Sequence, residues 1–301
     1  MRVFVTGATG FIGSAVVKEL IGAGHKVLGL ARSDAAARAL TAAGVAIHRG
    51  DLADLDSLKH GAAAADGVIH TAFSNIGPGT DFAASCRIER TALEAIGEAL
   101  SGSDKPLVMT SGTAFLSPGR LATEEDAQDH NSALAVRSAT EEVVLSMALR
   151  GVRAVAVRLP LSVHGDGDHG FIPALIAMAR EKGVSAYVGD GRNRWPAVHR
   201  LDAARLFRLA LENGPAGSRF HGVADEGVPF RDIAALIGRR LNVPVVSRTP
   251  EEAGEHFAWM ALFTGLDAPA SSAITQERLG WRPTQPGIIA DLERSSRYFS
   301  V

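Results

Sequence analysis

The sequence predicts an α/β fold in which a doubly wound parallel sheet is joined to a smaller C-terminal α/β lobe. Three observations support this prediction. Short apolar segments alternate with helical segments through the first half of the chain, these apolar segments have no polar face, and a glycine-rich turn joins the first of them to the first helix. Strands that are apolar on both faces are buried in parallel sheets, and right-handed crossovers then place helices on both sides.

The first 160 residues alternate regularly between the two kinds of element, and we expect them to form one domain. Strands are predicted at Val3–Thr6, Lys26–Leu30, Val45–His48, Gly67–Thr71, Pro106–Thr110 and Arg153–Val157. Helices are predicted at Phe11–Ile21, Asp34–Ala42, Phe82–Leu100 and Ser132–Leu149.

The pattern changes after Pro160, where a stretch rich in Pro, Gly and His predicts a loop between two lobes. Helices are predicted beyond it at Phe171–Lys182, Asp202–Asn213, Phe230–Leu241 and Gln285–Tyr298, with strands at Arg219–Gly222 and Val243–Ser247. We expect residues 161–301 to form mainly a second lobe, with a segment from about residue 195 to 222 returning to the main sheet.

Charge and hydropathy exclude several partners. The chain has 31 Lys and Arg against 33 Asp and Glu, a formal net charge of −2, and no block of like charge. We therefore expect neither a nucleic-acid nor a membrane partner. No apolar run reaches the roughly 18 residues that a membrane-spanning helix needs.

The N-terminus, the cysteine content and the spacing of possible metal ligands each give one further expectation. The chain passes from Met1 directly into a strand and a glycine turn, which leaves no room for a signal peptide. With Cys86 as its one cysteine, it forms no intrachain disulfide, which fits a cytoplasmic location. No cluster of His, Cys or acidic residues has the spacing of metal ligands, so no metal is predicted.

The glycine turn spans Thr6 to Gly13 and has glycines at positions 7, 10 and 13. The first permits a tight turn, the second lets the backbone approach a pyrophosphate, and the third lets helix and strand pack closely. The N-terminus of the following helix favours the phosphate charge. A plain glycine-rich turn is the alternative, but the strand before it and the helix after it predict a Rossmann-type nicotinamide dinucleotide site. Its predicted cofactor-binding residues are Thr6, Gly7, Thr9, Gly10, Phe11, Ile12 and Gly13.

The end of the second strand indicates which dinucleotide binds. An acidic residue there would hold the ribose 2′-hydroxyl of NAD. The sequence instead has Ala31, followed by Arg32, and a guanidinium beside a small residue suits a 2′-phosphate. We therefore predict that NADP(H) is preferred and keep NAD(H) as the alternative, in which Arg32 is a solvated surface charge. Asp34 is expected to cap the next helix.

Several further motifs, together with the glycine turn, resemble the extended short-chain dehydrogenase/reductase superfamily, including its NAD-dependent epimerase/dehydratase group. They are Gly50–Leu52, His70–Ala72, Arg158–Pro160, Gly165–Gly167, Val198–His199 with Asp202, and Leu279–Pro283. The resemblance covers essentially the whole chain. It implies a C-terminal substrate lobe, a homodimer formed through the helices Phe82–Leu100 and Ser132–Leu149, and further cofactor contacts at Asp51, Leu52, Thr71, Ala72, Phe73, Thr110, Arg137 and Leu159.

The sequence departs from the family at its catalytic pair. The family places a Tyr and a Lys four residues apart on the second long helix. Aligning Glu141 with the family's downstream Glu puts Ala133 at the Tyr position and Arg137 at the Lys position. A shift of one residue gives Leu134 and Ser138 instead. Neither alignment supplies a tyrosine.

The chain therefore resembles atypical members that keep the cofactor fold without the Tyr–Lys pair. Its two tyrosines, Tyr187 and Tyr298, lie outside this helix. The phenol normally exchanges a proton with the substrate oxygen, and general acid–base catalysis is worth about 10²–10⁴-fold in rate. Arg137 can supply positive charge and hydrogen bonds to the ribose but cannot replace the phenol.

Four residues are predicted to carry the remaining chemistry: Ser111, Thr113, Arg137 and His164. Ser111 and Thr113 can donate a hydrogen bond to a carbonyl oxygen, or they have ordinary cap or turn roles. His164, in the loop after the sixth strand, and His130, before the second long helix, are candidate proton donors. The alternative for both histidines is a solvated position in a loop.

The second lobe contains two candidate substrate-binding segments. Arg192–Pro196 has two cations beside an indole and can grip an anionic or aromatic substrate, or it is a solvated loop with an anchoring Trp. His256–Phe263 is apolar and is either core or a lid over the pocket. Tyr187 is expected to be structural.

Three functions remain open. The first is an NADP(H)-dependent oxidoreductase that acts on a small organic carbonyl compound. The second is a dinucleotide-binding sensor without chemistry, which the missing Tyr–Lys pair favours and the segment Met109–Thr113 opposes. The third is a nucleotide-sugar epimerase or dehydratase, whose reactions depend strongly on the missing tyrosine.

Overall fold

The computed structural model describes residues 1–74, 77, 79–116, 118–130 and 135–300. Its strands are Arg2–Thr6 (β1), Lys26–Ala31 (β2), Ala46–Arg49 (β3), Gly67–His70 (β4), Pro106–Gly112 (β5), Arg153–Leu159 (β6), Ser162–His164 (β7), Ser185–Val188 (β8), Arg194–His199 (β9), Ser218–His221 (β10), Asp225–Pro229 (β11) and Val245–Arg248 (β12).

The helices alternate with these strands and cover both faces of the main sheet. They are Phe11–Gly22 (α1), Asp34–Ala42 (α2), Leu55–Ala63 (α3), Phe82–Leu100 (α4), Ala135–Ser146 (α5), Phe171–Lys182 (α6), Arg200–Asn213 (α7), Phe230–Leu241 (α8), Pro250–Phe257 (α9), Ala261–Thr264 (α10), Ala273–Leu279 (α11) and Ile288–Arg294 (α12). Short 3₁₀ turns lie at Thr113–Phe115, Met147–Arg150 and Ala258–Met260.

In the described part of the chain, seven strands form one parallel sheet in the order β3-β2-β1-β4-β5-β6-β10. This is the doubly wound order, and the predicted α/β fold is confirmed. The direction of winding reverses between β1 and β4, where Thr6 lies opposite His70. A ligand of such a sheet binds outside the carboxyl ends of the strands at this reversal.

The core has a layer on each side of the sheet. One layer packs α1 and α7 against β1 and β6, and Trp281 is fully buried in it with its indole N–H donating to the Asp202 carbonyl at 2.9 Å. The other layer packs α3, α4 and α5 against the opposite face. Because both faces are covered, the strands carry few polar residues, which is the pattern that the sequence showed.

The second lobe is built on two small sheets, β11-β9-β7 and β12-β8. Its core is aromatic: Trp195, Phe230 and Phe257 are almost completely buried, and the Trp195 indole donates to the Phe263 carbonyl at 3.2 Å. β10 lies in the main sheet, whereas β9 pairs with β7 and β11. The domain boundary near residue 160 stays a prediction.

The structure differs locally from the sequence prediction. α3 was not predicted, although Asp54 caps it by accepting a hydrogen bond from the Ser57 N–H at 3.0 Å, a signal visible in the sequence. Ser33, and not Asp34, caps α2. The final helix is shorter than predicted, because the chain leaves the helical conformation at Ser295.

Within the described ranges, no helix combines the length and the apolar character that crossing a membrane requires.

Candidate functional site

The glycine turn leaves no room for side chains. Gly7 has a φ of 70°, in the left-handed region, and a Cβ there would lie 2.7 Å from the Ala72 backbone nitrogen. A Cβ on Gly13 would overlap the Gly7 carbonyl oxygen. The turn therefore holds β1, α1 and the end of β4 at backbone contact, which no residue larger than glycine permits at these two positions.

The N-terminus of α1 is prepared for an anion. Gly10 occupies the N-cap position and accepts from the Ser14 N–H at 2.9 Å, and in the described structure no side chain caps the helix. The N–H groups of the first turn and the helix dipole thus point toward the open end of the sheet. This cradle fits the diphosphate of a dinucleotide, with backbone N–H groups as donors.

Hydrogen bonds between polar residues connect the strand ends next to the glycine turn. Thr6 Oγ1 lies 2.9 Å from His70 Nδ1, the Thr71 hydroxyl donates to the Thr6 carbonyl at 2.8 Å, and the Thr110 hydroxyl donates to the His70 carbonyl at 2.8 Å. Burial, assisted by the charge of Arg137, lowers the pKa of His70 to about 3, so its imidazole is neutral. Thr6, Thr71 and Thr110 therefore fix the ends of three adjacent strands beneath the predicted cofactor.

The end of β2 presents an exposed cation. Ala31 is buried, whereas Arg32 is exposed and makes no hydrogen bond or ion pair with any described residue. Asp51 lies on the loop after β3, and its carboxylate accepts from the N–H groups of Ala53 and Asp54 at 2.7 and 3.2 Å. The adjoining Leu52 is half-buried. Arg32 is thus free to meet a ligand, while Asp51 shapes its own turn.

Glu89 and Phe73 hold Arg137 in place. Its guanidinium donates to both carboxylate oxygens of Glu89, at 3.1 and 2.9 Å, and stacks on the Phe73 ring 4.1 Å from the centroid. Burial raises the pKa of Glu89, while the charge and hydrogen bonds of Arg137 oppose that rise. The side chain of Arg137 is only 11% exposed. Glu89 was missed in the sequence, and it balances the charge that Arg137 brings to the site.

Ser111 belongs to a buried polar network. The Gln128 amide donates to Ser111 Oγ at 3.2 Å and to Glu141 Oε2 at 2.6 Å. Arg158 donates to Glu141 through Nε and Nη2, and the Nη2 contact is 2.6 Å. Burial favours the neutral carboxyl, but hydrogen bonds from Arg158, Ser111 and Arg219 and the charge of Arg158 together lower the pKa of Glu141. Glu141 is therefore an ionised carboxylate in the protein interior.

Ser111 and Thr113 differ in their hydrogen bonding, so different roles are open to them. Ser111 is only 4% exposed, and its hydroxyl oxygen accepts from the Gln128 amide at 3.2 Å within this buried network. Thr113 is only 1% exposed, and its Oγ1 has no hydrogen-bond partner among the described residues. A buried hydroxyl without a partner costs free energy of folding unless a ligand or a water molecule supplies the missing hydrogen bond.

The two candidate histidines occupy different environments. His164 is fully buried, and its Nδ1 lies 2.7 Å from Asp291 Oδ2, while Nε2 has no partner in the described part of the chain. His130 is 59% exposed, with Nε2 3.1 Å from Glu142 Oε1. Asp291, 127 residues away, was not anticipated as a partner of His164.

Comparison with known proteins identifies the family. The NAD dependent epimerase/dehydratase family matches residues 3–221, which include the glycine turn, the strands β1–β6 and β10, and the buried network. The chain belongs to this family. An uncharacterised protein of Schizosaccharomyces pombe is 51% identical over 303 residues, covering 99% of this chain and 100% of the relative.

Two further proteins that match this chain have names that describe a function. A Stigmatella aurantiaca 4-hydroxy-2-methyl-3-oxo-4-farnesyl-3,4-dihydroquinoline-1-oxide ketoreductase is 29% identical, covering 90% of this chain and 84% of the relative. The structure of a dTDP-glucose 4,6-dehydratase from Streptomyces venezuelae, with NAD bound, superposes with a TM-score of 0.78 at 22% identity, covering 99% of this chain and 97% of that one. At that identity, the second likeness shows the fold.

The position of the family's tyrosine lies outside the described residues of this epimerase/dehydratase-family protein. Ala133 and Leu134, the two residues that the alternative alignments place there, belong to the undescribed segment 131–134. Tyr298 is described and lies elsewhere: its hydroxyl donates to Asp168 Oδ2 at 3.0 Å and accepts from the Gly165 N–H at 2.9 Å. Burial, with the charge of Asp168, raises the pKa of Tyr298. Tyr298 therefore anchors the loop after β7.

The segment Arg192–Pro196 does not present two unpaired cations beside an exposed indole. Arg194 donates to both oxygens of Asp267, at 2.9 and 2.8 Å, and Trp195 is fully buried. Arg192 is 75% exposed and lies 3.6 Å from Asp190. In the second candidate segment, Trp259 is half-buried and lies 5.8 Å from the Phe171 ring. In the described geometry, Arg194 is therefore paired, Trp195 is buried, and Trp259 packs beside Phe171.

The outer face of α4 is mixed in character. Its exposed residues include Arg87, Ile88, Arg90, Glu94 and Glu98. Arg90 lies 3.6 Å from Glu94, and Glu98 lies 2.6 Å from Lys59. An apolar outer face would have supported dimer formation through this helix, so the homodimer stays a prediction.

Proposed function

We propose that this protein is an NADP(H)-dependent oxidoreductase that reduces the carbonyl group of a small, largely apolar substrate without the family's tyrosine. One observation carries the proposal: the backbone cradle of Gly7, Gly10 and Gly13 lies at the same carboxyl edge of the sheet as the end of β5, after which the Thr113 hydroxyl is buried and unpartnered among the described residues. A cofactor site beside an uncommitted hydroxyl suits an enzyme better than a module that only binds.

Each residue then has a defined task. The bound nicotinamide supplies the hydride. The glycine turn and the α1 N-terminus hold the diphosphate, Arg32 pairs with the 2′-phosphate, and Arg137, oriented by Glu89, donates a hydrogen bond to the ribose. Thr113 donates a hydrogen bond to the carbonyl oxygen, where negative charge develops. Without the phenol, the proton reaches that oxygen from water or from a histidine, of which His164 is our candidate.

Charge pairing argues against a nucleotide-sugar substrate. A sugar nucleotide brings a second diphosphate, which needs cations that are free to contact it. Arg194 is paired with Asp267, and Arg137 is paired with Glu89. Phe171 and Trp259, two uncharged aromatic residues of the second lobe, lie with their ring centroids 5.8 Å apart. The ketoreductase name of the Stigmatella relative supports the same choice.

We predict that Arg32→Ala weakens NADPH binding and leaves NADH binding unchanged. Losing charge-assisted hydrogen bonds worth about 1.5–3 kcal/mol raises the Kd for NADPH about tenfold or more. Isothermal titration with each cofactor measures both constants. Equal losses for the two cofactors, or no loss for either, would remove the 2′-phosphate role from Arg32.

We predict that Thr113→Val and Ser111→Ala have different effects. Thr113→Val removes a donor that develops its interaction in the transition state, so kcat falls by about 10²–10³-fold with little change in stability. Ser111→Ala removes a buried acceptor of the Gln128 amide and costs about 1–3 kcal/mol of stability. Thermal unfolding and steady-state rates separate these outcomes. A Thr113→Val protein with unchanged kcat would contradict the assignment.

The proposal is tested by NADPH oxidation over a panel of alkyl and aryl ketones, with dTDP-glucose and UDP-glucose as comparison compounds. We expect consumption of NADPH with at least one ketone and none with the sugar nucleotides. Tight cofactor binding without turnover on any ketone would instead favour a dinucleotide-binding sensor, the function that the missing tyrosine suggests.

A further inference from the structure

A cation at the N-terminus of α7 lies beside the start of α1, next to the glycine turn. Arg200 is the first residue of α7, and its guanidinium carbon lies 5.1 Å from the ring centroid of Phe11, the first residue of α1. A Cβ on Gly167 would lie 3.7 Å from Arg200 Nη1. The guanidinium therefore lies between the loop after β7 and the start of the helix that faces the predicted diphosphate.

The Phe11 ring connects this cation to a second polar ring. His169 packs edge-on against Phe11, with the ring centroids 5.8 Å apart, and its Nδ1 lies 3.2 Å from the Gly167 carbonyl oxygen. His169 is exposed and Arg200 is half-buried. Arg200 at the start of α7 and His169 in the loop after β7 thus flank Phe11, the residue that follows Gly10.

Arg200 has no acidic partner among the described residues, whereas several other arginines in the second half of the chain do. Arg194 is paired with Asp267, Arg239 with Glu293, and Arg297 with Asp166. Across the described ranges, Arg200 makes no ion pair or hydrogen bond. The carboxylate of Asp168, in the adjacent loop, is engaged by the Gly170 N–H and the Tyr298 hydroxyl.

We propose that Arg200 binds the diphosphate of the dinucleotide and so completes the cofactor site from the N-terminus of α7. The inference rests on the proposed cofactor site. Backbone N–H groups supply the cradle with partial charges only, whereas the diphosphate carries formal negative charge. A guanidinium with free N–H groups at the edge of the cradle balances that charge directly.

Isothermal titration with NADPH and with ADP-ribose tests this assignment. ADP-ribose contains the diphosphate but lacks nicotinamide. Arg200→Met keeps an unbranched apolar stem against Phe11 and removes the charge, so we expect the Kd of both ligands to rise about tenfold. Arg200→Lys should recover part of the loss. Arg239→Met, which removes a surface cation on α8, is the matched control and should change neither constant.

The outcomes separate this inference from the proposed function. If the wild-type protein binds both ligands and Arg200→Met binds them equally well, the diphosphate role is wrong and the cofactor site stands. If NADPH binding is weakened but ADP-ribose binding is not, Arg200 contacts the 2′-phosphate or the nicotinamide, the two groups that ADP-ribose lacks, and the inference is also wrong. If the wild-type protein binds neither NADPH nor NADH, the proposed function itself fails.

Discussion

Arg158→Met should lower the free energy of unfolding by about 3–5 kcal/mol, because it leaves the Glu141 carboxylate buried without its main partner. Both side chains of this pair are completely buried. Arg158 also donates to the Asp126 carbonyl at 2.9 Å, and methionine cannot supply that hydrogen bond. Urea unfolding at pH 7 measures the loss.

Arg219→Met is the matched control for this prediction. Arg219 donates to the same Glu141 oxygen at 3.0 Å, but its side chain is 34% exposed and Arg158 remains in place. We expect a loss below about 1 kcal/mol, as is usual for partly exposed pairs. Equal losses in the two variants would mean that the Glu141–Arg158 pair is not the central interaction of this network.

The same pair gives a stability–pH dependence. The pKa of Glu141 is lowered in the folded protein below its ordinary value of 4.5. A lowered carboxyl pKa contributes stability above the unfolded value, and this contribution is lost as the pH falls through the folded value. The difference in stability between the wild-type protein and Arg158→Met should therefore be largest near neutral pH and should shrink below pH 4.5.

Gly13→Ala should abolish measurable dinucleotide binding. The added Cβ overlaps the Gly7 carbonyl oxygen and approaches Thr71 Oγ1 at 2.8 Å. Helix α1 must then move away from the turn, which displaces the N–H groups that would hold the diphosphate. We expect the Kd for NADPH to rise by at least about 100-fold, because the charge-assisted hydrogen bonds there are worth about 1.5–3 kcal/mol each.

Gly22→Ala tests whether this effect is local. Gly22 ends the same helix, and a Cβ there meets no atom within 4 Å. Alanine at a helical position stabilises by roughly 0.5–1 kcal/mol relative to glycine. We therefore expect a slightly raised Tm and unchanged cofactor binding. Gly13→Ala protein that melts normally and still binds NADPH would contradict the geometry of the turn.

The features that could be predicted from the sequence were local ones. The strand–turn–helix at Thr6–Gly13 requires glycine at fixed positions because of its backbone geometry. The spacing of the glycines in the sequence therefore predicts the turn directly. The apolar composition of the strands likewise indicates that both of their faces are buried. These two signals predicted the main sheet and the fold class, and the family comparison agrees with the resemblance drawn from the motifs.

The partners of the site residues could not be predicted, because they are distant in sequence. Glu89 lies 48 residues from Arg137, and Asp291 lies 127 residues from His164. Arg158 did give a signal: a charged residue inside an apolar strand must find a buried partner. The sequence did not say which acid this would be, since that depends on how α5 packs against β6.

The most direct test of the proposed chemistry is a single turnover with NADPH deuterated at the transferable C4 position. The wild-type protein is mixed with this cofactor and a ketone, and the reduced product is analysed by mass spectrometry. Our account predicts an alcohol that contains one deuterium at the former carbonyl carbon, with a slower rate in Thr113→Val. Tight binding of NADPH with no deuterium transferred to any ketone in the panel would contradict it.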